Sequence, residues 1–290
     1  MKAIEIKNLK KYFGRTKAVD GINLTVEKGE IFGFLGPNGA GKTTTIRCML
    51  DFLRPTSGDV RILGLDPKND GTELRSKISF LPGGARLYDG WSGEDHVDFI
   101  KSFGGERSIA DKLIKNLDLD TRKKFKNLSS GNKQKLSLIL ALMKRPEVLI
   151  LDEPTNALDP LLQNQVHKTL REFQKDGMTI FMSSHNLSEV DQTCSRVAII
   201  KEGKIVSEES IKGLKEKRIH SVAVVFDSKV SKDQFKIEGI KNIEEIDSSL
   251  IISFLGDIDP LIKELSKHKI KEIEISHATL EEIFLEFYQK

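Results

Sequence analysis

Apolar and polar positions alternate over residues 3–9 (AIEIKNL) and 22–27 (INLTVE), the period of two expected of half-buried strands. Residues 30–35 (EIFGFL) form a denser apolar run that leads into a glycine-rich segment, and residues 41–52 (GKTTTIRCMLDF) then read as a helix. Short strands are predicted at 58–63 and 77–81. Residues 94–145 place apolar side chains near the 3.6 spacing of helices, with breaks at 104–105 and 127–131. After Pro146 the run VLILD is continuously apolar, which suits a strand buried on both faces. A helix over about 161–175 and strands at 178–183 and 196–200 complete an alternation of strands and helices that predicts an α/β fold.

From about residue 219 the pattern changes. Strands are predicted at 221–227, 243–247, 249–254 and 271–275, with helices at 258–268 and 279–288. Asp259 and Pro260 suit an N-cap and first helical position. The polar stretch 228–239 has no clear period. The expected organisation is an α/β domain over 1–218 and a small α+β domain over 219–290.

Composition narrows the class. Hydrophobic residues make up 38% and charged residues 31%, with 8 prolines, a globular composition. The longest apolar stretches, such as 136–143, fall well short of the roughly 20 residues of a membrane span. The first residues alternate and carry charge, so a secretion signal is not expected. Two cysteines, Cys48 and Cys194, suggest neither a disulfide framework nor a metal cluster and fit a reducing cytoplasm. The net charge of +3 is too balanced to imply nucleic acid. Residues 216–290 hold 11 Lys/Arg against 15 Asp/Glu, so the positive excess lies in the first part, where it can help hold anions.

That first part carries the candidate chemistry. Gly36-Pro37-Asn38-Gly39-Ala40-Gly41-Lys42-Thr43 fits the phosphate-loop pattern G-x-x-x-x-G-K-[ST] and lies between a predicted strand and a predicted helix. Glycines let backbone N–H groups converge on phosphate oxygens, and the helix adds its positive N-terminus. Lys42 is a point charge for the β- and γ-phosphates, Thr43 offers a hydroxyl to Mg²⁺, and Thr44 offers another to a phosphate oxygen. The apolar strand at 148–151 ends in Asp152-Glu153. Asp152 is placed to hold Mg²⁺, and Glu153 to act as general base or to orient the attacking water. Only one such loop occurs and there is no tandem repeat, so a single nucleotide-binding unit is expected.

Leu128-Ser129-Ser130-Gly131-Asn132 follows, opening a helix expected to start near Asn132. With the phosphate loop, Asp152-Glu153, Ala157-Leu158-Asp159 and His185, all in order, residues 1–215 resemble an ABC transporter ATP-binding subunit. The resemblance implies a P-loop NTPase core of the ABC ATPase type, with an antiparallel β subdomain and a helical subdomain at about 84–145. It implies head-to-tail dimers that sandwich two ATP molecules, with Ser129 and Gly131 touching the γ-phosphate held by the other subunit. His185 matches a switch histidine that contacts the γ-phosphate, and Asp159 a loop that couples the two sites. An aromatic residue before a glycine stacks on adenine in the family. Phe13 before Gly14 matches it, and Tyr12 is the alternative.

Two positions depart from the family. Gly83 stands where a glutamine usually reaches Mg²⁺ and the water, so water positioning is expected to fall to Glu153, His185 or a neighbour. Asn132 replaces a commoner glutamine, with little loss expected. The resemblance further implies a separate transmembrane permease, docked near residues 82–105, and a place on the cytoplasmic face of the cell membrane. Trp91 reads equally as an anchor for that partner and as packing inside the helical subdomain. Residues 276–284 (SHATLEEIF) resemble the end of the accessory domain of drug, antibiotic or bacteriocin exporters. Whether the second ATP-binding subunit is identical stays open, and nucleic acid is not expected as a partner. The competing readings are a soluble ABC-type ATPase acting on nucleic acid or ribosomes, and an ATP sensor with little turnover.

Overall fold

The computed structural model describes residues 1–277 apart from 85, 157, 217, 218, 229, 236, 247 and 248. The chain opens with an antiparallel hairpin, β1 (Lys2–Phe13) and β2 (Thr16–Glu27), followed by β3 (Ile31–Leu35) and helix α1 (Lys42–Met49). Next, β4 (Ser57–Ile62) returns to pair antiparallel with β1. Helix α2 (Gly71–Lys77) and β5 (Ile78–Leu81) lead to the helices α3 (Gly93–Ser102), α4 (Arg107–Asn116) and α5 (Ser130–Leu142). Then come β6 (Val148–Asp152), α6 (Pro160–Lys175), β7 (Thr179–Ser184), α7 (Leu187–Thr193), β8 (Arg196–Lys201) and β9 (Lys204–Ser210).

Contacts divide the chain into Met1–Glu208 and Glu209–Lys290, earlier than the break after residue 218 that the sequence suggested. The first unit is built on a six-stranded sheet of order β5-β6-β7-β3-β8-β9, in which β5 to β8 run parallel. No residue of β3, β6 or β7 is exposed, as expected for parallel strands covered on both faces. The antiparallel sheet β2-β1-β4 shares its core with this one: Ile4, Ile6 and Leu9 join Phe32, Phe34, Ile150 and Phe181 in one cluster. The Phe181 ring lies 6.0 Å from Phe32 and 5.5 Å from Phe34.

The second unit comprises α8 (Ile211–Glu216), β10 (Ile219–Phe226), β11 (Ile240–Ile246), β12 (Ser249–Leu255), α9 (Asp259–Leu265) and β13 (Ile270–His277). Its strands form an antiparallel sheet of order β11-β12-β10-β13, with a separate core around Val222, Val224, Ile252, Phe254, Leu261 and Leu265.

Two helix starts differ from expectation. α5 begins at Ser130, because the Ser129 hydroxyl accepts a hydrogen bond from the Asn132 N–H at 3.3 Å and supplies the cap. The N-cap of α9 is Ile258 rather than Asp259, which puts both Asp259 and Pro260 inside the helix. The short elements α2, α7, α8 and β9 were not anticipated at all. The helix expected at 279–288, with Leu280, Ile283, Phe284 and Phe287, lies outside the described residues, as does Ala157.

Candidate functional site

The carboxyl ends of β3, β5, β6 and β7 lie side by side in the parallel sheet, the place where open α/β sheets bind ligands. Four strand ends thus deliver the loop 36–41, Gly83, Asp152-Glu153 and His185 to one edge. In the loop, Gly41 has φ 112°, and a Cβ there would lie 2.4 Å from the Ala18 carbonyl oxygen. A Cβ on Gly36 would lie 2.4 Å from the Ile200 carbonyl oxygen. Only glycine fits at either position. Gly41 also serves as N-cap of α1 without a side-chain hydrogen bond, so the first amides of α1 are left for an external acceptor. Pro37, Asn38 and Gly39 are exposed, whereas Gly36, Ala40, Gly41 and Lys42 are buried.

The Lys42 ammonium donates to the Gly36 and Pro37 carbonyl oxygens at 2.7 and 3.1 Å and lies 3.5 Å from Glu153 Oε1. His185 Nδ1 is 3.2 Å from the same Oε1, with the His185 ring about half exposed. Lys42, Glu153 and His185, far apart in sequence, therefore share one carboxylate oxygen. Thr43 Oγ1 donates to Asp152 Oδ2 at 2.9 Å. Ser183, the register partner of Asp152 on β7, donates to Asp152 Oδ1 at 2.5 Å. The Glu153 N–H reaches Ser183 through both its carbonyl and its hydroxyl at 3.2 Å. Glu153 has φ 51°, a left-handed conformation that costs a non-glycine residue about 1–2 kcal/mol. This turn separates its side chain from that of Asp152.

A cleft of about 690 Å³ opens beside these groups, lined by Thr43, Arg47, Gly83, Asp152, Glu153 and Asn156 among others. A Cβ on Gly83 would lie 3.3 Å from the Asp152 carbonyl oxygen and 3.8 Å from Oδ2, so a side chain at this position would enter the acidic end of the cleft. Thr44 is half-buried on the first turn of α1.

Other predicted residues stand apart. Phe13 is 48% exposed at the end of β1, with the Lys11 ammonium 4.9 Å from its ring centre. The Tyr12 hydroxyl is tied to Asp20, which leaves Phe13 with the freer ring. Ser129 is exposed and Gly131 half-buried at the start of α5, and among the described residues Ser129 makes no hydrogen bond to the phosphate loop. Asp159 caps α6 by accepting from Leu162 N–H at 3.0 Å. Trp91 packs within the helical region, 4.6 Å from Tyr88 and 5.3 Å from Phe99, while Tyr88, Phe99 and Phe103 are exposed.

Sequence reading missed Ser183, which orders Asp152 and Glu153, and Gln134, whose amide donates to the Pro154 carbonyl at 2.8 Å. The signal for Ser183 was there: two serines end the strand directly after the apolar run Ile180-Phe181-Met182.

The chain is similar to known proteins. The ABC transporter family profile matches residues 19–156. The bacitracin transport ATP-binding protein BcrA of Enterococcus faecalis is 38% identical over 234 residues, covering 79% of this chain and 76% of that protein. The Nod factor export ATP-binding protein I of Burkholderia lata is 30% identical over 290 residues, covering 97% of this chain and 95% of its own. A solved dimeric bacterial ABC transporter cassette superposes with a TM-score of 0.65 at 25% identity, covering 72% of this chain and 98% of the cassette.

Proposed function

The chain belongs to the ABC transporter family as an ATP-binding ATPase, and from that premise we propose that its hydrolysis of ATP drives a separate membrane permease in an exporter. The observation that carries the reading is the meeting of Lys42 and His185 on the Glu153 carboxylate at the ends of three parallel strands.

The triphosphate lies along the loop 36–41, where backbone N–H groups and the start of α1 receive it. Lys42 exchanges the Gly36 and Pro37 carbonyls for the β- and γ-phosphates, and Thr44 adds a hydroxyl. Glu153, released from the ammonium, accepts a proton from the attacking water or orients it. His185 keeps that water and the γ-phosphate in register. Phe13 stacks on the adenine, a contact tolerant of base identity.

The site's donor set fits Mg²⁺. Thr43 and Asp152 present hard oxygens side by side, and among the described residues no cluster of three or more His, Cys, Asp or Glu side chains would make an all-protein cage. Mg²⁺ commonly takes one or two protein oxygens and completes its shell with phosphates and water. Bound there, it would offset charge on the β- and γ-phosphate oxygens.

Ser129 and Gly131, at an exposed helix start, close on the γ-phosphate of a second ATP-binding subunit. The dimeric cassette among the structural relatives supports this pairing. No described helix is long and apolar enough to cross a membrane, so the path for cargo belongs to the permease. The exposed rings of Tyr88, Phe99 and Phe103 beside Trp91 support a docking surface for it, with the chain working from the cytoplasmic face of the membrane. Export, rather than uptake, follows the relatives named for bacitracin transport and Nod factor export.

The test is the Mg²⁺-dependent ATPase rate of the full chain beside Glu153→Gln. Turnover in the parent, its loss in the variant and ATP-dependent dimers of the variant support the reading. One observation favours a second reading, a sensor that binds ATP with little turnover: Gly83 puts no side chain into the cleft. Tight ATP binding without turnover, unchanged by the permease, would decide for it.

A further inference from the structure

We infer that Glu189 is a positioning residue for hydrolysis: its buried carboxylate ties the loop after β6 to the end of β7 and so fixes where Glu153 and His185 stand. Glu189 lies on α7 with its side chain only 5% exposed. Its Oε1 accepts from Thr155 Oγ1 at 2.6 Å, and its Oε2 from Ser184 Oγ at 2.5 Å. Thr155 stands two residues after Glu153, and Ser184 immediately precedes His185. One carboxylate therefore bridges the two backbone segments that carry the two reactive side chains.

The bridge is anchored at its own end. Ser184 Oγ also accepts from the Asn186 N–H at 2.9 Å, and Asn186 Oδ1 caps α7 by accepting from the Ser188 and Glu189 amides at 2.9 and 3.4 Å. His167 on α6, also buried, sets its Nε2 3.6 Å from Glu189 Oε1. Neither ring nitrogen of His167 has a hydrogen-bond partner among the described residues, so the carboxylate is the polar group it faces. Hydrogen bonds to a charged acceptor in a low-dielectric interior are strong, and losing this one would strand the Thr155 hydroxyl and leave the Ser184 hydroxyl to donate only across its 3.2 Å contact to the Asn186 carbonyl.

Glu153 needs such support. A left-handed non-glycine residue persists where its surroundings over-determine it. Ser183 holds it from the amino-terminal side, and the Thr155–Glu189 bond holds the loop from the other. Loss of that second hold would let the carboxylate wander, and a displacement of about 1 Å can reduce a rate by about 10²-fold.

The inference rests on the assignment of Glu153 and His185 to hydrolysis, so the experiment begins with Glu153→Gln in the full chain. Glu189→Gln, Glu189→Ala and Thr155→Val follow, each measured for kcat, KM for ATP, nucleotide bound per chain and melting temperature. For Glu189→Ala, kcat should fall about 10- to 100-fold, with KM and bound nucleotide near the parent values. Glu189→Gln keeps the shape and should recover most of the rate. Thr155→Val, which keeps the carboxylate and removes one strut, should lie between them and decides the matter if Glu189→Ala does not fold. An unchanged kcat in a folded Glu189→Ala, or a fall matched by lost nucleotide binding, overturns the inference while leaving Glu153 in place. Full turnover in Glu153→Gln overturns the assignment beneath it, and the inference with it.

Discussion

Two β-sheets of this chain, the six-stranded one of the first unit and the four-stranded one of the second, use their polar residues in opposite ways. In the parallel sheet of the first unit, β3, β6 and β7 expose nothing along their lengths, and polar side chains gather at the carboxyl ends. There Asp152, Ser183 and Ser184 are buried and bonded to one another or to close neighbours. In the antiparallel sheet of the second unit, burial alternates along β12, and the covered residues are apolar. Ile273 and Ile275 on β13, register partners of the fully buried Val224 and Val222, remain 39% and 48% exposed. A sheet covered on both faces confines chemistry to its edge, whereas a sheet with a solvated face disperses its polar groups along it. Reactive geometry is accordingly concentrated in the first unit.

The strongest way to break this contrast is at the strand ends. Glu153→Gln should lower kcat by about 10²–10⁴-fold with ATP still bound, measured by phosphate release and nucleotide titration. Core truncation should come next. Phe181→Ala and Phe254→Ala should each cost about 3–5 kcal/mol, since both rings are almost wholly buried. They should differ in place: hydrogen exchange should accelerate within 1–208 for the first and within 209–277 for the second, and only the first should weaken ATP binding. Loss of ATP binding in Phe254→Ala would remove the distinction between the units.

A smaller effect should follow Ser183→Ala, which deletes the hydroxyl that holds Asp152 and the Glu153 amide. About 1–3 kcal/mol of stability should go, read by denaturant unfolding, with kcat reduced more than ATP affinity. The smallest expected effect concerns thiols. Burial raises the Cys48 thiol to about 11, and burial, with Glu189 and Glu30 nearby, holds the Cys194 thiol well above its ordinary value. The thiolate is the reactive form, so both should resist iodoacetamide at pH 8 in the native chain and react once it is unfolded. Modification of Cys48 should speed up by about tenfold per pH unit above 8 and level off near pH 11. Rapid alkylation of the folded protein at pH 8 would show the first unit less closed than its strands indicate.

Much of the site was legible because its motifs are local. The phosphate loop is contiguous, and Asp152-Glu153 ends a run whose apolar density marks a buried strand. That the Phe13 ring is the freer of the two aromatics became visible only with the bond from Tyr12 to Asp20. What escaped reading depends on register between distant segments: Ser183 opposite Asp152, and Glu189 between Thr155 and Ser184. Helices α2 and α7 were missed for another reason. Each is seven residues long, too short for its periodicity to rise above its polar surroundings. The start of α5 was displaced because a serine and an asparagine three residues apart both suit a cap, and only geometry assigns Ser129 to the role.

The phosphate loop's fit against its neighbours also bears on heredity. At Gly36 and Gly41 the nearest obstacles are backbone carbonyl oxygens, of Ile200 and Ala18, rather than side chains able to swing aside. A codon change at either position that yields another amino acid brings in a Cβ, and no compensating change of residue at 200 or 18 can remove an oxygen that every residue carries. These two sites are therefore closed to drift even in company. Gly39, whose surroundings are open, is barred by its φ of 82° alone, a restriction that asparagine or aspartate can relax. Within the chain itself the tip of the loop is thus less constrained than its two ends.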